Sequence, residues 1–281
     1  MGSQNVPAQR FKANPVYLAP IVTSLIIGVL CTSLFLLSSL EPTPIVINPE
    51  EGLGPLWNSL FFVAMAGLGA TMIYLLMKYK KFKLINVLIA TAFSLITFIL
   101  SFLYTSMIVI ILNAQIWGLD LWVIGLSIGL TAISIAGVFW RRGAFHEIIV
   151  IILGGALGSF LGVSIPTVSA VLILLFLAVY DVFAVYRGPV GKLAVEGLEK
   201  LRGVTFSFKD VQVGLGDLTF YSMLVSHVLL NFGYKSGLGA FLGISVGSFL
   251  SFKMLERKGM FPGLPFSIVL GLLAAYLGSL I

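Results

Sequence analysis

Charge is what this chain has least of. Only 10% of its 281 residues are Asp, Glu, Lys or Arg, against 59% hydrophobic, whereas an ordinary soluble domain carries about 25% charged residues. A chain with so little polar surface could not cover its own core in water, and a mean hydropathy of +1.08 makes the bilayer its expected solvent. Cysteine is nearly missing too. Cys31 is single, cannot form an internal disulfide and indicates no redox compartment; inside an apolar run it reads as a small buried hydrophobe. One cysteine and two histidines leave no metal or cofactor site to build. His146-Glu147 opens like a zinc-protease HExxH, but Val150 stands where the second histidine is needed. The formal net charge of +6 is spread thinly between apolar runs, a pattern of membrane topology and not of a nucleic-acid face. A myristoylation signal is missing as well, since Val6 stands where Ser or Thr is required.

Long apolar runs are what the chain does have. About 20 apolar residues cross a hydrocarbon core of about 30 Å, and that ruler divides the sequence into nine spans, 17–39, 56–77, 84–112, 118–139, 145–164, 167–186, 213–232, 236–254 and 263–280. The first is too long for a signal-peptide core and lacks a small-residue cleavage site, so it counts as a span. Ser164 and Pro166 divide the fifth from the sixth; Gly233, Lys235 and Ser236 divide the seventh from the eighth. The expectation is an all-α polytopic membrane protein, one domain over 1–281, with an N-terminal tail at 1–16 and a loop at 187–212 between spans six and seven.

Assigning each basic residue to its loop yields a strict alternation. Arg10 and Lys12, Lys78 to Lys83, Arg141 and Arg142, Arg187 to Lys209, and Lys253 to Lys258 all fall on one side, while Lys235 alone falls on the other with Glu41, Glu50, Glu51 and Asp120. The positive-inside rule then places the N-terminus in the cytoplasm and, after nine crossings, the C-terminus outside. Trp57, Trp117, Trp122 and Trp140 fall at span ends, where interfacial aromatics belong. Gly154, Gly158 and Gly162, and again Gly239, Gly243 and Gly247, recur every fourth residue on one helix face and suit close helix packing in lipid. Gly243 to Gly247 also spells the serine-hydrolase G-x-S-x-G, but inside a span and not at the strand-to-helix turn that motif requires.

A carboxylate at the centre of a span costs about 2.5–3.5 kcal/mol on insertion scales. Two stand clearly inside spans, Asp181 and Asp217, with no Lys or Arg in either span. Their depths agree. Asp181 precedes Arg187 and Asp217 follows Lys209 on antiparallel neighbours, which puts both in the cytoplasmic third of the bilayer, where they can face each other. Two facing carboxyl groups in a low-dielectric site share a proton, one acting as base and the other as acid. A water between them could then attack an amide. The same pair could equally relay protons or cations in a transporter, or one Asp could simply hydrogen-bond a neighbouring helix. The surroundings favour the protease: Gly214 and Gly216 bracket Leu215 just before Asp217 and let another backbone approach. Pro262-Gly263-Leu264-Pro265 opens the ninth span with an extended start. His227, ten residues beyond Asp217 and about 15 Å along a helix, reads as a satisfied polar residue outside the site.

Tyr180-Asp181, Gly214-Leu215-Gly216-Asp217 and Pro262-Gly263-Leu264-Pro265 resemble the YD, GxGD and PAL signatures of the presenilin and signal peptide peptidase family, in that family's order on spans six, seven and nine. Prepilin-type aspartyl peptidases share GxGD but do not explain the proline-leucine motif. The resemblance implies an intramembrane aspartyl protease with Asp181 and Asp217 as catalytic pair, a proline-leucine motif lining the site, and partners limited to the lipid bilayer and the transmembrane helices of substrate proteins. The chain departs from the family in having Gly263 where alanine is usual. The N-terminal orientation is similar to that of presenilins, which implies substrate spans whose N-termini lie outside. The loop is too short to hold the large insertion of animal presenilins. Oligomeric state stays open.

Within that loop, Leu193, Val195, Leu198 and Leu201 among charged residues predict a short interfacial helix. Val204-Thr205-Phe206-Ser207-Phe208 alternates with period two, as a half-buried strand does. Such a strand beside the acids could capture an unwound substrate by strand addition; an ordinary connecting loop is the equal alternative.

Overall fold

The computed structural model describes residues 12–38, 40, 43–113, 118–140, 143–187, 205–209 and 211–280. Near the start of the described chain Asn14 accepts the Val16 amide proton, which caps a 3₁₀ turn over Pro15–Leu18. Six helices follow: α1 Ala19–Ser38, α2 Gly54–Lys78, α3 Phe82–Ile111, α4 Leu119–Phe139, α5 Ala144–Ser164 and α6 Thr167–Tyr186. A hairpin of β1 Thr205–Phe208 and β2 Val211–Gly214 leads into α7 Leu215–Lys258, and α8 Leu264–Ser279 closes the chain. Among the described residues, seven helices are long and apolar enough to cross a membrane, α7 counted once, while the 16-residue α8 is shorter.

The division between α5 and α6 falls where the sequence puts it. Pro166 excludes the helical region for its predecessor, and Ile165 is extended (φ −106, ψ 127). The division inside α7 is subtler. Helical hydrogen bonding runs across it, but Gly233 adopts φ 83, ψ 179, a backbone region essentially reserved for glycine. The bend therefore rests on Gly233; Lys235 and Ser236, expected to share the break, are helical. The seventh span also starts later than expected, because Val213 and Gly214 belong to β2.

α7 is the central element, packed against α1, α5 and α8, whereas α2 leans mainly on α6. Both glycine ladders serve this centre. A methyl carbon built on Gly154, Gly158 or Gly162 of α5 would come within 3.0 Å of α7, at Leu218, Thr219 and Met223 respectively, and one on Gly239, Gly243 or Gly247 within 3.0 Å of α8 backbone. Small hydroxyls complete the seams: Ser24 meets Ser222 at 3.1 Å between α1 and α7, and Thr32 meets Ser159 at 2.9 Å between α1 and α5. Such contacts replace the hydrophobic drive that lipid removes. His227 is satisfied as expected, with Nδ1 2.8 Å from the Gly162 carbonyl and Nε2 3.2 Å from Thr167 Oγ1.

The two ends of the bundle are tied separately. At one, the Ala13 amide donates to Glu256 Oε2 at 2.9 Å. At the other, Ile45 N–H donates to Ser164 O at 2.8 Å, and Asn58 and Glu50 both hydrogen-bond Ser169.

Candidate active site

The site forms where α6 ends, α7 begins and α8 begins. Asp181 lies near the end of α6 and Asp217 in the first turn of α7. A helix start leaves its first amide protons unpaired, and in α8 the capping residue Gly263 has no side chain to supply an acceptor. Asp181 supplies it from the neighbouring helix: its Oδ2 accepts the Leu264 N–H at 3.0 Å. A carboxylate there is also favoured by the helix dipole. Asp217 approaches the same peptide unit from α7. A methyl carbon built on Gly263 would lie 3.3 Å from Asp217 Oδ2 and 3.3 Å from the Tyr221 hydroxyl. Both carboxyl groups thus flank the Gly263–Leu264 peptide, and Asp217 is close enough to feel the charge of Asp181.

The other motif residues have distinct places. Pro262 is buried just before α8, and in the first turn of α8 Leu264 is buried and Pro265 half-buried. Gly214 borders Asp217, with a methyl carbon built on it 3.7 Å from Oδ2. Leu215 reaches toward α5 at Gly154, and Gly216 is exposed. Tyr180 turns to α2, its ring 3.5 Å from a methyl carbon built on Gly67, so it joins α6 to α2.

A cavity of about 90 Å³ opens beside Asp217, lined by that residue, Tyr221, Gly263, Ser248 and the β2 residues Val211 to Val213. The hairpin meets one expectation and extends it. Thr205 to Phe208 do form a strand, with Phe206 buried; Val204 and the expected helix over 193–201 lie outside the described residues. The sequence reading did not anticipate β2, which pairs antiparallel with β1 in the register Phe206↔Val213 and Phe208↔Val211. It is β2 that reaches the cavity.

Sequence reasoning also missed a set of hydroxyls. Tyr221 donates to Gly263 O at 2.9 Å, Ser267 to the same oxygen at 3.1 Å and Ser251 at 3.4 Å, with Ser248 2.9 Å from Ser267. One signal was available: Tyr221 is four residues from Asp217 and so shares its helix face.

A family model described as signal-peptide peptidase, presenilin aspartyl protease matches residues 21–195, a range that contains Asp181 but stops short of Asp217. Presenilin-B of Dictyostelium discoideum is 31% identical over 160 residues, which are 53% of this chain and 34% of that protein. The match thus spans about a third of that relative's length. Two crystal forms of a presenilin family intramembrane aspartate protease share the fold. The C222 form has a TM-score of 0.66 at 17% identity, covering 95% of this chain and 99% of that one. The P2 form has a TM-score of 0.64 at 18% identity, with 98% of each chain covered.

Proposed function

This chain belongs to the signal-peptide peptidase and presenilin aspartyl protease family, and from that premise we propose that it is an intramembrane aspartyl endopeptidase whose catalytic pair is Asp181 and Asp217. The observation that carries this reading is the convergence of both carboxyl groups on the Gly263–Leu264 peptide. In the reaction, the ionised carboxyl takes a proton from a water held between the pair, and the water oxygen attacks the substrate carbonyl carbon. The protonated partner hydrogen-bonds the carbonyl oxygen as it gains negative charge. Collapse of the tetrahedral intermediate breaks the C–N bond, and a carboxyl proton goes to the leaving amine.

Nine crossings, with the N-terminus in the cytoplasm, are the topology of this reading. Dividing α7 at Gly233 and counting α8 gives that number. The tie between Ala13 and Glu256 puts the N-terminal segment at the same end as Lys253, Arg257 and Lys258, as the charge sorting requires. Substrates are transmembrane segments of other proteins, their N-termini outside, reached through lipid. Among the described residues, a cavity of about 660 Å³ between α2, α5, α6 and the segment 44–47 offers apolar room for such a segment on its way in.

Unwound substrate is captured by strand addition, with the role moved from Val204–Phe208 to β2. In an antiparallel pair every second residue points its N–H and C=O away from its partner, so among the described residues β2 keeps a free edge, and it is β2 that lines the Asp217 cavity. Gly214 ends that edge beside Asp217, Leu215 and Gly216 turn it into the helix that carries the acid, and Gly263 of the Pro262–Pro265 motif bounds the opposite wall. Tyr180 acts through the α2 contact. Purified protein incubated with a transmembrane peptide in vesicles tests the reading: peptide cleavage is expected, and ion flux without cleavage would favour a transporter using the same carboxylates.

A further inference from the structure

We propose that Tyr221 is the positioning residue of the dyad: its hydroxyl holds the Gly263 carbonyl so that the Leu264 N–H on the same peptide plane is delivered to Asp181 Oδ2. This deepens the proteolytic reading and rests on it.

A peptide unit is planar, so fixing its C=O also fixes the direction of its N–H. In the Gly263–Leu264 unit the N–H goes to Asp181 and the C=O receives hydroxyls. The hydroxyls are not equivalent. Each carries one proton. The Ser267 proton has three competing destinations, Ser248 Oγ at 2.9 Å, Gly263 O at 3.1 Å and the Tyr221 oxygen at 3.2 Å, and Ser251 is long at 3.4 Å. The Tyr221 proton has one, Gly263 O at 2.9 Å. The tyrosine is only 2% exposed, and its ring is packed one turn after Asp217 on the same helix. One side chain thereby links the backbone that orients Asp181 to the helix that carries Asp217.

The consequence for the chemistry is a fixed orientation of the Asp181 carboxyl: Oδ2 accepts the Leu264 N–H, the Gly263 N–H also donates to this carboxyl, and the remaining lone pairs are left for water. Without the Tyr221 bond the carbonyl keeps the longer Ser267 and Ser251 contacts, but the peptide plane tilts, the Leu264 N–H bond to Oδ2 lengthens, and the carboxyl loses the orientation it presents to water. Substrate strand addition uses the backbone of β2, whereas the Tyr221–Gly263 bond is made within the facing wall of the cavity.

Tyr221→Phe, which keeps the ring and removes only the donor, tests the proposal in the purified full chain with a transmembrane peptide in vesicles. We expect kcat to fall at least tenfold with KM within about twofold, and a hydroxyl-containing transition-state mimic to bind more weakly by a matching factor. Amide hydrogen exchange at Leu264 should speed up at least tenfold. A kcat within twofold of the parent, or unchanged Leu264 exchange, overturns the proposal, as does a rise in KM that accounts for the whole loss. The exchange measurement needs no turnover. A parent protein that fails to cleave would therefore sink the proteolytic reading, while Leu264 exchange still decides the clamp. If Tyr221→Phe fails to fold, ring-fluorinated tyrosine at position 221, a stronger donor of nearly the same shape, replaces it; slower Leu264 exchange is expected, and equal or faster exchange overturns the proposal.

Discussion

Gly263 adopts φ −80, ψ −40, a helical conformation open to any residue, so its missing side chain answers to space and not to backbone. The space is tight, but the atoms a methyl would meet at 3.3 Å are the Asp217 carboxylate and the Tyr221 hydroxyl, both ends of side chains that can shift by a few tenths of an ångström. Gly263→Ala should therefore fold, gain about 0.4–1 kcal/mol from the stiffer unfolded chain and keep cleavage within about tenfold. Gly263→Val should abolish cleavage by displacing Asp217. Thermal unfolding and turnover of the same preparations check both. At this scale the two aspartates were the most legible residues, because a carboxylate in an apolar run is conspicuous whatever surrounds it. Tyr221, Ser248, Ser251 and Ser267 were not, since hydroxyl residues are tolerated anywhere in a span and only the fold reveals that three of these four converge on one carbonyl oxygen.

Helices were legible to within a few residues because apolar length is read directly by the bilayer ruler, and Pro166 and the Lys78 to Lys83 turn punctuate them unambiguously. β2 was hidden. Its four residues, Val211–Gly214, run without a break into the apolar start of α7 and carry no turn signal of their own. Its proposed role predicts that Gln212→Pro, which disrupts the free edge, lowers cleavage of a helical transmembrane peptide at least tenfold. Proline at Thr205, on the strand away from the cavity, should cost less. Equal losses at the two positions would return the capture role to β1. Gly233 is the other element-scale feature. Its φ of 83 would strain any side chain by about 1–3 kcal/mol, so Gly233→Ala should lower the thermal midpoint by several degrees, measured in detergent, without changing the chemistry at the distant acids.

For the whole molecule, packing and chemistry share one helix. α7 carries Asp217 in its first turn, receives the α5 glycine ladder on its first arm, and presents its own ladder to α8, which carries the proline-leucine motif. The sequence showed the ladders but not their partners, because a four-residue repeat marks a face without saying which helix meets it. Gly158→Val would drive a side chain into the α7 backbone at Thr219 and Met223. It should destabilise the bundle by about 1–3 kcal/mol and depress cleavage by displacing Asp217 along with its helix, visible as a lowered thermal midpoint. The central claim is that the two carboxyl groups around Gly263–Leu264 perform the hydrolysis together. Its most direct measurement is cleavage of a transmembrane peptide in vesicles by the parent protein, Asp181→Asn and Asp217→Asn, each confirmed folded by its thermal midpoint. The account predicts cleavage by the parent and a loss of at least a thousandfold in both folded variants; cleavage that survives either substitution would contradict it.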